Sequence, residues 1–419
     1  MKRILIILLV IGLTLGGVWA YKTFVQKSTN PITPTDGGFK SFFPFGNTEV
    51  PGMIDGQLPT TPGEQPTPVS TSKFKQLTGR PIAGFTIYPE RVAITIPATT
   101  ANGKPTTETH IEHVLRYVSR NSGYVYEIRE KDGITNLPLQ ISNIFIPNIY
   151  EALFMDGGKT ALLRFLRDDD RTIATYSVPI PDPNPDGTRT QIEGKYLPDS
   201  ILNAAVSSEG NSLIRVTREQ NMGVVTTTDS QNNKKVELLR FAFSEWIPLH
   251  SKQATYLQTK ASAAADGFLY SVESSKRLKK VIGDIPGLTT SISPTGTYVL
   301  YSESTANGFT SKLYNTKTAA LTPLNISVLP EKCTWLANEN LLCAGNTTVP
   351  TGLYPDIWYA GVTTLSDRLY RINSTTNTYE IVYDGSERSF DMIGLRVDED
   401  RNIAFFIDKQ SGILWQYSL

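Results

Sequence analysis

Residues 182–193, DPNPDGTRTQIE, set oxygen donors at the spacing of a calcium loop. Asp182, Asn184 and Asp186 alternate, Gly187 follows, and Glu193 completes the pattern D-x-[DN]-x-[DN]-G-x5-E. Calcium gathers several oxygens, with a glycine for the sharp turn and a bidentate carboxylate to close the shell. Three features oppose that reading. Pro183 and Pro185 stiffen the loop, Arg189 stands where an apolar anchor is usual, and the preceding TIATYSVPIP reads as a strand rather than a helix. The competing reading is a polar Pro/Gly loop between strands. No cofactor other than calcium is suggested.

The only cysteines, Cys333 and Cys343, flank the turn-prone Ala337-Asn338-Glu339-Asn340. A hairpin centred on Asn338 sets them opposite each other. Opposed strand residues bring their Cβ atoms to about 4.5–5.5 Å, close enough for a disulfide after slight adjustment. An oxidising compartment would favour that bond; the alternative is two small, reduced, buried side chains. Two cysteines and three scattered histidines cannot close a tetrahedral metal shell.

Catalytic constellations are sparse. His110 and His113 lie in THIEHVLRY, where an odd separation on a strand points them to opposite faces. There is no G-x-S-x-G elbow and no Gly-rich phosphate loop. Asp168-Asp169-Asp170-Arg171 reads as a tight turn. Aromatic residues make the better recognition candidate. Tyr354, Asp356, Trp358 and Tyr359, in YPDIWY, follow a Gly/Pro-bounded stretch and read as part of a long loop. Tyr and Trp give large, rigid, amphipathic contacts. Trp358 could equally pack between sheets, as expected for Trp246, Trp335 and Trp415.

The elements that must hold these residues are short strands. From Arg80 onward, runs of β-branched and aromatic residues bounded by Gly, Pro, Asn or Asp recur with almost no helical periodicity. Above them sits a longer period of about 40–50 residues, typical of propeller blades. It is clearest in 204–216, 289–302, 333–345 and 393–407. Units start near His110, Ile141, Ile201, Phe241, Gly287, Pro330 and Ser389, which makes seven; six remain open because the units at His110 and Phe241 are weak. The last unit supplies three strands, FDMIGLRV, NIAFFI and GILWQYS. Residues around Phe85–Ile96 are expected to supply its fourth and so close the ring.

The first residues, MKRILIILLVIGLTLGGVWA, form an apolar run behind Lys2 and Arg3. It reads as a retained transmembrane anchor (1–27) or as a cleaved signal peptide. Both leave the amino end inside and the body outside the cytoplasm. No cysteine follows the run, which excludes a lipoprotein anchor. Residues 28–72 read as a Pro/Thr/Ser-rich linker, interrupted by four phenylalanines between Phe39 and Phe45. The folded domain is expected over 80–419. Forty basic against forty acidic residues exclude a nucleic-acid partner that needs a basic surface.

The hairpin Ser293-Pro294-Thr295-Gly296-Thr297-Tyr298-Val299-Leu300-Tyr301 resembles the S-P-x-G-x-x-h-h-h hairpin (h, apolar) of WD-repeat-like and TolB-like propellers of bacterial envelopes. Ser207-Ser208-Glu209-Gly210 lacks the proline, and Asp398-Glu399-Asp400 lacks both Pro and Gly. KCTW, LLCAG and YPDIWYAG resemble segments of uncharacterised membrane-anchored propellers of small-genome bacteria. The resemblance implies an all-β propeller that serves as a binding platform. The expectation is therefore a membrane-tethered, extracytoplasmic, non-enzymatic binding or scaffolding module at the cell envelope, with an envelope protein or glycan as partner. The alternative is a propeller hydrolase or lyase acting on a surface glycan or peptide.

Overall fold

A computed structural model describes residues 72–96, 106–131, 134–135, 137–182, 192–198, 201–207 and 209–419. The expected anchor (1–27), the Phe39–Phe45 segment and all but the last residue of the expected linker lie outside them. Among the described residues no helix is long and apolar enough to cross a membrane.

Alternating strands bounded by turn residues cannot bury both faces of one small sheet, so the sheets stack radially. Seven antiparallel sheets result, and the chain is a seven-bladed, all-β propeller. The first strands of the blades are Ile82–Ile96, Ile149–Met155, Ile201–Val206, Trp246–His250, Thr289–Ile292, Cys333–Trp335 and Met392–Asp398. Gly84 marks how closely the first two approach, since a Cβ there would fall 2.1 Å from the Ala152 carbonyl oxygen.

The ring is closed by a different segment from the one expected. Phe74–Gln76 pairs with Leu414–Ser418 as the outer strand of the seventh blade, with Phe74 opposite Tyr417 and Gln76 opposite Trp415. Phe85–Ile96 instead belongs to the first strand of the first blade and pairs with Thr106–Ser119. That ladder is far longer than a blade-closing strand would allow, and it satisfies those backbone groups locally. The first blade accordingly starts at Ile82, ahead of His110.

Apolar clusters lie between neighbouring blades. Met155 and Leu162 of the second blade meet Ile201, Ala204 and Leu213 of the third. Ile214, Val216 and Val225 of the third meet Trp246 and Leu257 of the fourth. Trp415 packs with residues of the sixth and seventh blades, and the Trp335 indole donates to Ser291 Oγ of the fifth at 2.9 Å. Trp246, Trp335 and Trp415 thus pack between blades.

Because strands alternate in direction, each blade has two ends. Turns joining strands one to two and three to four share the hairpin end. Connections from strand two to three, and from one blade to the next, share the loop end. At the hairpin end the Ser293 hydroxyl accepts the Tyr298 N–H at 3.0 Å and Gly296 takes φ 73°, which explains the S-P-x-G signature. Turn carboxylates bind the preceding blade: Glu339 accepts the Thr295 N–H at 3.1 Å, and Glu399 accepts the Ala337 N–H at 2.8 Å.

Candidate functional site at the loop end of the fifth to seventh blades

The connection from Leu341–Gly345 to Arg368–Ile372 in the sixth blade is the long loop that carries YPDIWY. It contains one short helix, Asp356–Tyr359. The loop reaches beyond its own blade. Asp356 Oδ2 accepts the Ala263 N–H of the fourth blade at 2.6 Å. The Tyr354 carbonyl sits where a Cβ on Gly287 would come within 2.5 Å, and Gly287 also takes φ 65°, so glycine is required there twice over.

The four expected recognition residues separate into two pairs. Tyr354 (1 % exposed) and Trp358 (3 %) are buried with Phe309, Leu329 and Leu365. Asp356 and Tyr359 keep solvent-facing surface. The residues that stand out from the loop are Val362, 77 % exposed, and Leu353, 58 % exposed.

A group of buried charges fastens the loop. Lys332 Nζ lies 2.7 Å from Asp367 Oδ2 and donates also to Asp391. Trp358 Nε1–H donates to both Asp391 oxygens, at 3.2 and 3.0 Å, and the Leu365 N–H reaches Asp391 Oδ2 at 3.1 Å. Lys409 Nζ donates to the Trp358 carbonyl at 2.8 Å and lies 4.8 Å from its ring centroid. The Met392 N–H donates to Asp367 Oδ2 at 2.6 Å. Two ammonium groups thus face two carboxylates, which is how buried charge is tolerated.

Burial pushes the Asp367 carboxyl up to about 7 despite the opposing pull of Lys332, and burial lowers Lys409. Lys332, Asp367 and Asp391 are sealed from solvent, so they can clamp but cannot meet a substrate. None was a candidate in the sequence. Each sits directly before a strand, in KCTW, DRLYRI and DMIGL, where a charged residue reads as a solvated turn.

Above the clamp, the Tyr359 hydroxyl donates to Glu331. Both side chains retain surface open to water, yet protein packs closely round them. That crowding raises the Glu331 carboxyl, against the pull of the Tyr359 hydrogen bond, and raises the Tyr359 phenol well above its usual value.

The other expected sites lie elsewhere. Cys333 and Cys343 form a disulfide between directly opposed residues of the first two strands of the sixth blade. Asp182 is 2.7 Å from Lys159 Nζ, and Glu193 is exposed; Asn184 and Asp186 lie outside the described residues. Among the described residues no three His, Cys, Asp or Glu side chains are grouped to hold a metal. His113 Nδ1 is 2.7 Å from Asp398 Oδ2, joining the first blade to the seventh.

The architecture and site define a seven-bladed β-propeller with a clamped loop over one end. No family model and no curated protein matches the chain. Solved structures similar in fold include TolB from Acinetobacter baumannii, at 10 % identity, 80 % of each chain and TM-score 0.39. The β-propeller domain of the trilobed protease from Pyrococcus furiosus is 10 % identical over 73 % of this chain and 89 % of that one, at TM-score 0.44. An oligogalacturonate lyase in complex with manganese is 12 % identical over 81 % and 98 %, at TM-score 0.45. The neighbours thus include TolB and other β-propellers, and at these identities the likeness is one of fold alone.

Proposed function

We propose that this chain is a membrane-tethered, extracytoplasmic binding or scaffolding module whose recognition surface is the loop end of the fifth to seventh blades. The observation that carries the reading is the exposure of Leu353 and Val362 on a loop fastened by buried charges. Apolar side chains held out on a rigid support form a preorganised contact surface, which lowers the ordering cost of binding. Asp356 and Tyr359 would set polar contacts beside them. The Cys333–Cys343 bond supports a location outside the cytoplasm, and the apolar residues after Arg3 support the tether. The test is crosslinking and pull-down from intact envelopes. The wild type should recover a defined envelope partner, and the Leu353→Glu/Val362→Glu variant should lose it. Equal recovery by both, or no partner with either, would refute the assignment.

One observation favours a second reading, a hydrolase or lyase acting on a surface glycan or peptide. Glu331, raised by crowding and bonded to the Tyr359 phenol, has the character of a proton donor. Turnover of cell-wall glycans or peptides that disappears in Glu331→Gln would support it; absence of turnover leaves binding as the function.

A further inference from the structure

The interface between the second and third blades is unusual in carrying two buried arginines. Arg164 is 3 % exposed and Arg215 is 2 % exposed. Leu162 and Leu213 meet across this interface. Strand alternation puts Arg164 and Arg215, each two residues further on, on those same two faces. The third strands also face each other here, with Ser177 Oγ donating to the Ser230 carbonyl at 3.1 Å. Thr175 is the cross-strand neighbour of Arg164, and Thr226 is that of Arg215. Thr228 lies opposite Leu213, diagonal to Arg215.

Partners are unevenly shared. Arg164 NH1 meets Glu151 at 2.5 Å, and NH2 donates to the Leu202 carbonyl at 3.1 Å and the Ile201 carbonyl at 3.3 Å. Arg215 donates only from Nε, to Thr226 Oγ1 at 3.1 Å. In the ladder the strand positions beside Arg215 are Ala204 and Thr226, neither of them acidic. Glu219, on the same strand, is taken by Arg240 and Lys235. Four buried polar atoms facing this interface have no protein partner: Arg164 Nε, Arg215 NH1, Thr175 Oγ1 and Thr228 Oγ1. All four can donate. By contrast, the buried Arg116 of the first blade has Glu127 at 2.7 Å and the Gly158 carbonyl at 2.9 Å.

We propose that the second–third blade interface holds a small monovalent anion, of the chloride class, received by Arg215 NH1, Arg164 Nε and the hydroxyls of Thr175 and Thr228. Two buried guanidinium groups against one carboxylate leave positive charge between the blades, and an unpaired buried charge is costly. Water could give its protons to the threonine hydroxyls but brings no charge; a halide accepts from every donor in the set and also offsets the surplus positive charge. The anion therefore acts as a structural ligand that joins two blades.

The test uses the full chain. Thermal unfolding is followed in sodium chloride and in sodium isethionate, whose anion is too large to fit between packed blades, at equal ionic strength. The melting temperature should rise by several degrees with chloride relative to isethionate, as ligand linkage requires. Arg215→Met should abolish the chloride-specific rise. Crystals grown with sodium bromide should show an anomalous peak beside Arg215 NH1, a readout that stands even if Arg215→Met fails to fold. Identical melting in both salts, a chloride effect that survives Arg215→Met, or bromide-grown crystals without a peak at this interface would overturn the proposal.

Discussion

The Trp358 indole donates to Asp391, a residue placed just before the first strand of the next blade. One hydrogen-bonded carboxylate thereby ties a long surface loop to the wall of the ring. Its other partners, Lys332 and the Leu365 N–H, make it the centre of the clamp. Removing one member of a buried, paired set leaves the others uncompensated, at about 3–5 kcal/mol. Asp391→Ala should therefore lose that much in urea unfolding. Trp358→Phe keeps most of the ring but drops the donor, and should cost about 1–3 kcal/mol. Hydrogen exchange should quicken at residues 353–363 in both. Unchanged exchange would mean that the loop is held by other contacts.

Asp367 predicts a pH dependence. Its folded-state value of about 7 lies above an unfolded value of about 3.9. A carboxyl raised on folding contributes stability that is full below the unfolded value and lost as pH rises through the folded one. Wild-type stability measured against that of Asp367→Asn should thus fall between about pH 4 and about pH 7. Parallel stability curves for the two proteins would contradict this.

The disulfide closes a short loop, with a sequence separation of 10. Loop-closure entropy of that size gives about 2–3 kcal/mol. Alkylation of the denatured, unreduced protein should label neither cysteine. Reduction should lower the unfolding free energy by that amount, and full labelling before reduction would disprove the bond.

Ring closure rests on three residues, and Phe74 is the largest of them. Its ring packs against Tyr383, Phe390, Phe406 and Tyr417, with centroids 4.6 to 6.2 Å away. Phe74→Ala should destabilise the protein by about 3–5 kcal/mol, the usual loss for a buried phenylalanine. A shift under 1 kcal/mol in urea unfolding, about the scale of a surface change, would show that the seventh blade holds together without its outer strand.

Much of the fold was legible in the chain because strand patterning and turn chemistry are local. The repeating unit and the opposition of Cys333 to Cys343 follow from residues near one another in sequence. The closing strand was not legible. Phe74-Lys75-Gln76 is too short to carry a periodic signal, and its partner, Leu414–Ser418, lies at the far end of the chain. The loop around Trp358 was visible as a candidate, but which of its residues face water was not.

The sequence by itself determined strands, turns, a blade-length repeat and the opposition of Cys333 to Cys343, since each depends on side chains within one or two strand lengths; the count of seven over six and the bond itself came from the structure. Only the tertiary structure decided that Lys332, Asp367 and Asp391 are buried together, and that Val362 rather than Trp358 meets solvent. Burial and charge pairing depend on which blades touch, and that contact is fixed only when the ring closes.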